Sequence, residues 1–144
     1  MNFNHYIIIF YLAYPKRIKI GKLGTFNFPS GYYVYVGKDH RSVRSRVARH
    51  LSLKKRARWH IDYLSREAIP IFTLFIQGKE ESECEIGALI KDIGGQIIVP
   101  GFGASDCRCS THLMYFQCIP KNFYMNFRPG GDLTWILKKD SLNS

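Results

Sequence analysis

The sequence predicts a compact domain of the mixed α/β (α+β) class, a small central β-sheet flanked by helices, with a β-ribbon inserted after the first strand. Three observations predict it. Apolar runs of strand length stand at His5–Leu12, Gly31–Gly37 and Ile71–Gln77. Between and after them the apolar period changes to that of a helix, as at Val43, Val47 and Leu51 and again at Ile86, Leu89, Ile90 and Ile93. A chain of 144 residues fits one domain with a respectable core.

Taken in order, His5 to Leu12 reads as a buried strand, β-branched and aromatic, stopped by Pro15. Lys16 to Ser30 reads as the inserted ribbon. Ile18 and Ile20 alternate with charges, Gly21 and Gly24 punctuate, and Phe26 and Phe28 alternate before Pro29. Gly31 to Gly37 alternates as a strand, with Tyr33 and Tyr35 on one face and Tyr32, Val34 and Val36 on the other. After a polar break, the next helix carries Arg46 and His50 four residues apart beside its apolar stripe.

Arg58 to Ala68 predicts a second helix ending ahead of Pro70, with Trp59 and Tyr63 one turn apart. His60 and Asp62 there either face water and each other or stand by bound phosphates. Ile71 to Gln77 is the third strong strand. Four glutamates then crowd Glu80 to Glu85, opening a helix that runs to Ile93 and stops at Gly94-Gly95. Residues 1–120 form the domain on this reading. Residues 121–144 are a partly ordered extension, in which Leu133 to Leu137 has strand character.

The formal charge is +10, and nine Lys or Arg against one acid, Asp39, lie between Lys38 and Arg58. A basic block on a helix predicts an anionic partner. Nucleic acid comes ahead of a membrane surface, because anchoring by Trp, Phe and Leu is weak in this segment. Arg44, Arg49, Lys54, Lys55, Arg56 and Arg58 are its candidate phosphate contacts. No groove-reading module accompanies them, so sequence specificity is not indicated. The apolar run Tyr6–Tyr14 is nine residues, too short for a membrane span, and it lacks the flanks of a signal peptide. A cytoplasmic protein is expected, with its four cysteines as thiols or metal ligands rather than disulfides. Cys107-x-Cys109-x₂-His112, with Cys84 or Cys118, offers ligand types that zinc accepts; a packed thiol cluster is the plainer alternative.

Tyr35-Val36-Gly37, with Arg46 nine residues past the glycine and His50 one turn later, resembles the second half of the GIY-YIG nuclease signature. Tyr6 stands where that superfamily places the tyrosine of its first motif, although Asn4 and His5 replace its usual glycine. From Val99 the chain reads PGFGASDCRCSTHL. This closely resembles the GFG-x-SDC-x-C and His-Leu signature of a small stand-alone prokaryotic branch, whose WHIDYL and Glu-Cys-Glu patterns match Trp59–Leu64 and Glu83–Glu85. The asparagine that usually closes the nuclease site has no counterpart; the Gly101–Asp106 loop takes its place.

The resemblance implies a divalent-metal-dependent endonuclease that hydrolyses DNA phosphodiester bonds, structure-selective rather than sequence-specific. It implies that Glu85, or alternatively Glu83, holds Mg²⁺ or Mn²⁺, that Arg46 pairs with the scissile phosphate, and that Tyr6 activates the attacking water. Tyr35 would orient the water or metal shell, and His50 would assist proton transfer. A catalytically inactive nucleic-acid-binding module on the same fold is the alternative, and a zinc-stabilised structural or thiol-redox protein is a third.

Overall fold

The computed structural model describes residues 4–39, 42–52, 57–77, 82–104, 111–121, 123 and 134–137. The expected α+β architecture is present. The elements run β1 (His5–Leu12), β2 (Lys16–Ile20), a single 3₁₀ turn (Gly21–Leu23), β3 (Gly24–Phe28), β4 (Gly31–Lys38), α1 (Val43–Leu51) and α2 (His60–Ser65). They continue with β5 (Ile69–Gln77), α3 (Ser82–Asp92), β6 (Leu113–Phe116) and β7 (Thr134–Leu137). A five-stranded sheet has the order β6-β4-β1-β5-β7, and β2 and β3 pair only with each other. Every pairing is antiparallel.

β1 is central because it is apolar at successive positions, which only a strand covered on both faces can use. Tyr6, Ile8, Phe10 and Leu12 enter one core cluster with Tyr33, Tyr35, Val43, Val47, Ile61 and Leu64. Ile7 and Ile9 enter the other with Val34, Val36, Leu74, Ile86 and Ile90. The ribbon, α1 and α2 therefore cover one face of the sheet, and α3 covers the opposite one. Ile18, Ile20 and Phe28 plug the ribbon into the first cluster.

The structure differs from the sequence reading at four places: α2 is only His60–Ser65 rather than Arg58–Ala68, β6 at Leu113–Phe116 is a strand that reading lacks, and β5 and the end of the sheet shift as follows. β5 starts at Ile69, so Pro70 lies within the strand rather than before it. The pairing with β1 slips between Ile9 and Phe10, opposite this point, and proline's missing N–H is tolerated at such a bulge. The sheet also extends past residue 120, because β7 pairs with β5 from Leu74↔Leu137 to Gln77↔Thr134. Among the described residues no helix is long and apolar enough to cross a membrane.

Candidate active site

The site begins with a glycine. In the β1–β4 register Tyr6 stands opposite Gly37, and its ring lies across the glycine. A Cβ at Gly37 would come within 2.2 Å of the Tyr6 Cζ and Oη atoms. The absent side chain makes the slot in which the phenol lies. From there Tyr6 Oη reaches His50 Nε2 of α1 at 2.8 Å. Tyr35, next on the same face of β4, sets its ring edge-on to His50 with centroids 5.7 Å apart and lies 6.3 Å from the Tyr6 ring.

Arg46 sits one turn before His50. Its guanidinium lies 4.3 Å above the Trp59 ring and is paired with Asp39 at 2.8 Å. Asp39 also accepts the Ser42 N–H, and the Ser42 hydroxyl accepts from Ser45 N at the start of α1. The loop that delivers Arg46 is thus tied to the helix that carries it.

Arg49 also lies against Trp59, 4.0 Å from its ring, and makes a two-pronged contact with Asp62 at 2.9 and 3.0 Å. The Asp62 carboxylate also accepts the backbone N–H of Arg58 and Trp59. Burial alone would raise the Asp62 pKa. The hydrogen bonds from Arg49, Trp59 and Arg58 and the Arg49 charge outweigh it, holding the carboxyl below its usual range. Arg49 is committed to this network rather than offered to a phosphate, and Asp62 is its anchor. His60 is structural too: its Nδ1 accepts the Gly103 N–H at 2.8 Å, and burial lowers its pKa. Gly103, at φ +69, packs against Tyr35. The Trp-His-Ile-Asp and Gly-Phe-Gly stretches therefore brace one another around the two tyrosines.

The carboxylate facing the phenols is Glu83, not Glu85. Glu83 is buried at 8% exposure, and its charge raises the pKa of both Tyr6 and Tyr35. Glu85 points outward and is exposed. Helical phase explains the choice. Glu83 lies three and seven residues before Ile86 and Ile90, so it continues the stripe that packs on the sheet. That signal was readable in the sequence, whereas Asp39 as the partner of Arg46 and Trp59 as its platform carried none.

Both phenols stay protonated near neutrality. For Tyr6, burial is the main cause, and Tyr35, Glu83 and Asp39 add to it against the opposing pull of Arg46. For Tyr35, burial again leads, followed by Glu83, with Arg46 opposing. His112 Nε2 stands 3.4 Å from Glu83 Oε1. Burial and the Lys38 charge push this imidazole down to about 4, so the contact is that of a neutral ring rather than an ion pair.

The remaining expected residues fall as follows. Arg44 is exposed on α1 with its guanidinium 5.4 Å over Phe75, and Arg58 is exposed 5.7 Å from Trp59. Lys54, Lys55, Arg56, Cys107 and Cys109 lie outside the described residues. Cys84 is disulfide-bonded, which corrects the expectation of a thiol or ligand at that position, whereas Cys118 is a free, exposed thiol as expected. A sulfur in a disulfide offers no thiolate to zinc. Among the described residues no three His, Cys, Asp or Glu side chains converge as a metal cluster. Of Glu83 and the two phenols, Glu83 alone offers a hard carboxylate oxygen, since both phenols are protonated. It fits Mg²⁺ or Mn²⁺, which keep most of their water, better than zinc.

Residues 5–127 match the family model of the domain of unknown function DUF123, and the chain belongs to that family. No curated protein and no solved structure matches it.

Proposed function

We propose that this DUF123 protein is a divalent-metal-dependent endonuclease of GIY-YIG type, cutting DNA selectively by structure. The reading rests chiefly on the convergence of Tyr6, Tyr35, Arg46 and His50, drawn from two strands and a helix, with Glu83 at the same end of the sheet. Phosphodiester hydrolysis needs a nucleophile, a cation for the charge growing on phosphate, and a route for protons. Arg46 is the exposed member, with 32% of its side chain open to solvent, and it would take the scissile phosphate in exchange for Asp39. A protonated Tyr6 activates water only by passing its own proton on, and His50 Nε2 at 2.8 Å is placed to receive it. Glu83 would hold a Mg²⁺ or Mn²⁺ ion, which supplies Lewis-acid stabilisation of the phosphate oxygens. Tyr35, braced by Gly103 and Phe102, would orient the water.

The test is nicking of plasmid, branched and single-stranded DNA with Mg²⁺ or Mn²⁺. Arg46→Ala, Tyr6→Phe and Glu83→Gln are expected to lower cleavage by about 10²–10³-fold each, as removal of one charge-stabilising or proton-handling group does, with folding kept. Glu85→Gln should leave it intact. Full activity in Arg46→Ala removes this assignment of the site.

A specific observation favours a second reading, a binding module without catalysis. Tyr6 is only 1% exposed, and Asp39 already occupies Arg46. DNA binding that weakens with salt, with no cleavage of any substrate under either metal, selects that reading.

A further inference from the structure

The inserted ribbon carries cations that folding does not use. From Lys16 to Phe28 the sequence holds Lys16, Arg17, Lys19 and Lys22 and no acid. Ile18, Ile20 and Phe28 turn inward to the core, so Arg17 and Lys19 turn outward, across from Asn27 and Thr25. Lys16 is paired with Glu67. Arg17, Lys19 and Lys22 are exposed, and among the described residues no carboxylate pairs with them. Like charges on one face of a two-stranded ribbon repel, which is a cost to the fold unless an anion settles there.

This surface is joined to the candidate site through α2. Trp59 and Tyr63 stand one turn apart, each beneath a guanidinium: Arg46 and Arg49 over Trp59, and Arg66 at 5.6 Å over Tyr63. Tyr63 in turn packs on the ribbon at Gly21, where a Cβ would lie 3.3 Å from the phenol oxygen. Cations and aromatic rings thus run from Arg46 past Trp59, Tyr63 and Arg66 to the ribbon, on one face of the sheet. The outward ribbon positions Arg17, Lys19, Thr25 and Asn27 are all polar, without the apolar groups a membrane anchor needs. Tyr14, exposed beside the ribbon's base, offers a ring for stacking.

We propose that this track is the path of a nucleic-acid strand, and that Arg17, Lys19 and Lys22 form a second phosphate-binding anchor. The proposal rests on Arg46 being the phosphate contact of the candidate site. α2 spans about 9 Å at 1.5 Å per residue. At about 3.4 Å per nucleotide along a duplex strand, the ribbon therefore grips the backbone some three nucleotides or more from the phosphate at Arg46. The protein would then require substrate well beyond the bond it engages.

The experiment measures binding of labelled DNA to the full chain in a metal chelator, so that cleavage plays no part. Arg17→Gln/Lys19→Gln/Lys22→Gln is compared with wild type on a duplex of about 20 base pairs and on an oligonucleotide too short to reach the ribbon. The expected result is a duplex affinity lowered about tenfold or more and a salt slope reduced by about 2 to 3, at roughly 0.9 per lost phosphate contact. The short oligonucleotide should bind as before, and the thermal midpoint should not move. The charge-preserving Arg17→Lys/Lys19→Arg/Lys22→Arg variant should restore the duplex affinity. Unchanged duplex affinity and slope, or an equal loss on both lengths, overturns the anchor. So does a wild type that binds no DNA, or a triple variant that loses only binding to anionic vesicles. Cleavage is scored separately: a wild type that binds by the ribbon but never cuts retires the nuclease reading and leaves the anchor standing.

Discussion

At the scale of single residues, the candidate site depends on one missing side chain and one pre-existing ion pair. Gly37 is fixed by the Tyr6 ring, which is buried and bonded to His50, so neither partner has room to give. Gly37→Ala is expected to cost about 3 kcal/mol or more, read from denaturant unfolding. Gly87, inside α3, is the contrast: its nearest outside atom would be 3.8 Å from an added Cβ, so Gly87→Ala should stabilise by about 0.5–1 kcal/mol. Asp39 stands where a phosphate would sit on Arg46. Asp39→Asn keeps an oxygen for the Ser42 N–H but gives up the charge. A partly exposed ion pair is worth about 0.2–1 kcal/mol, so pyrophosphate affinity measured by calorimetry should rise by up to about fivefold. A fall in affinity would show that Asp39 positions Arg46 for the anion rather than competing with it.

At the scale of elements, α1 and α2 are too short to be stable alone, and they are joined through the Arg49–Asp62 contact and the Trp59 ring. α2 is joined in turn to the Gly101–Gly103 turn by His60 Nδ1. That bond needs a neutral imidazole, and burial lowers the folded-state pKa of His60 accordingly. The folded state then binds fewer protons than the unfolded chain, whose histidine titrates near about 6.5. Stability from this group is therefore fully present above that value and is lost as pH falls below it, toward the depressed folded pKa. His60→Gln should flatten the slope of the unfolding midpoint across that window. An unchanged slope would remove His60 from the account.

At the scale of the whole molecule, β1 divides the protein into two cores with different duties. The α3 side is mostly aliphatic. The other side gathers Tyr6, Tyr33, Tyr35, Tyr63 and Tyr115, both short helices and the ribbon with its exposed Arg17, Lys19 and Lys22. Glu83 is the exception, a residue of α3 whose charge reaches the two tyrosines on the other face. It lies in the helix's first turn, so it does not have to cross the sheet's interior. A site at the end of a sheet, rather than on a face, can draw residues from both layers.

The sequence alone determined β1, β4, β5, the ribbon and the pairing of Arg46 with His50 on one helix. Each of these follows from periodicity or from spacing along a single element, and such information is local. Tyr6 and Tyr35 joined that pair only through the resemblance to a known signature. Only the tertiary structure decided that Arg49 serves Asp62, that His60 holds the glycine loop, that β7 completes the sheet and that Cys84 is in a disulfide. Each of those depends on which distant segment arrives opposite. Chain crossings fix that, and no residue's neighbours in sequence record it.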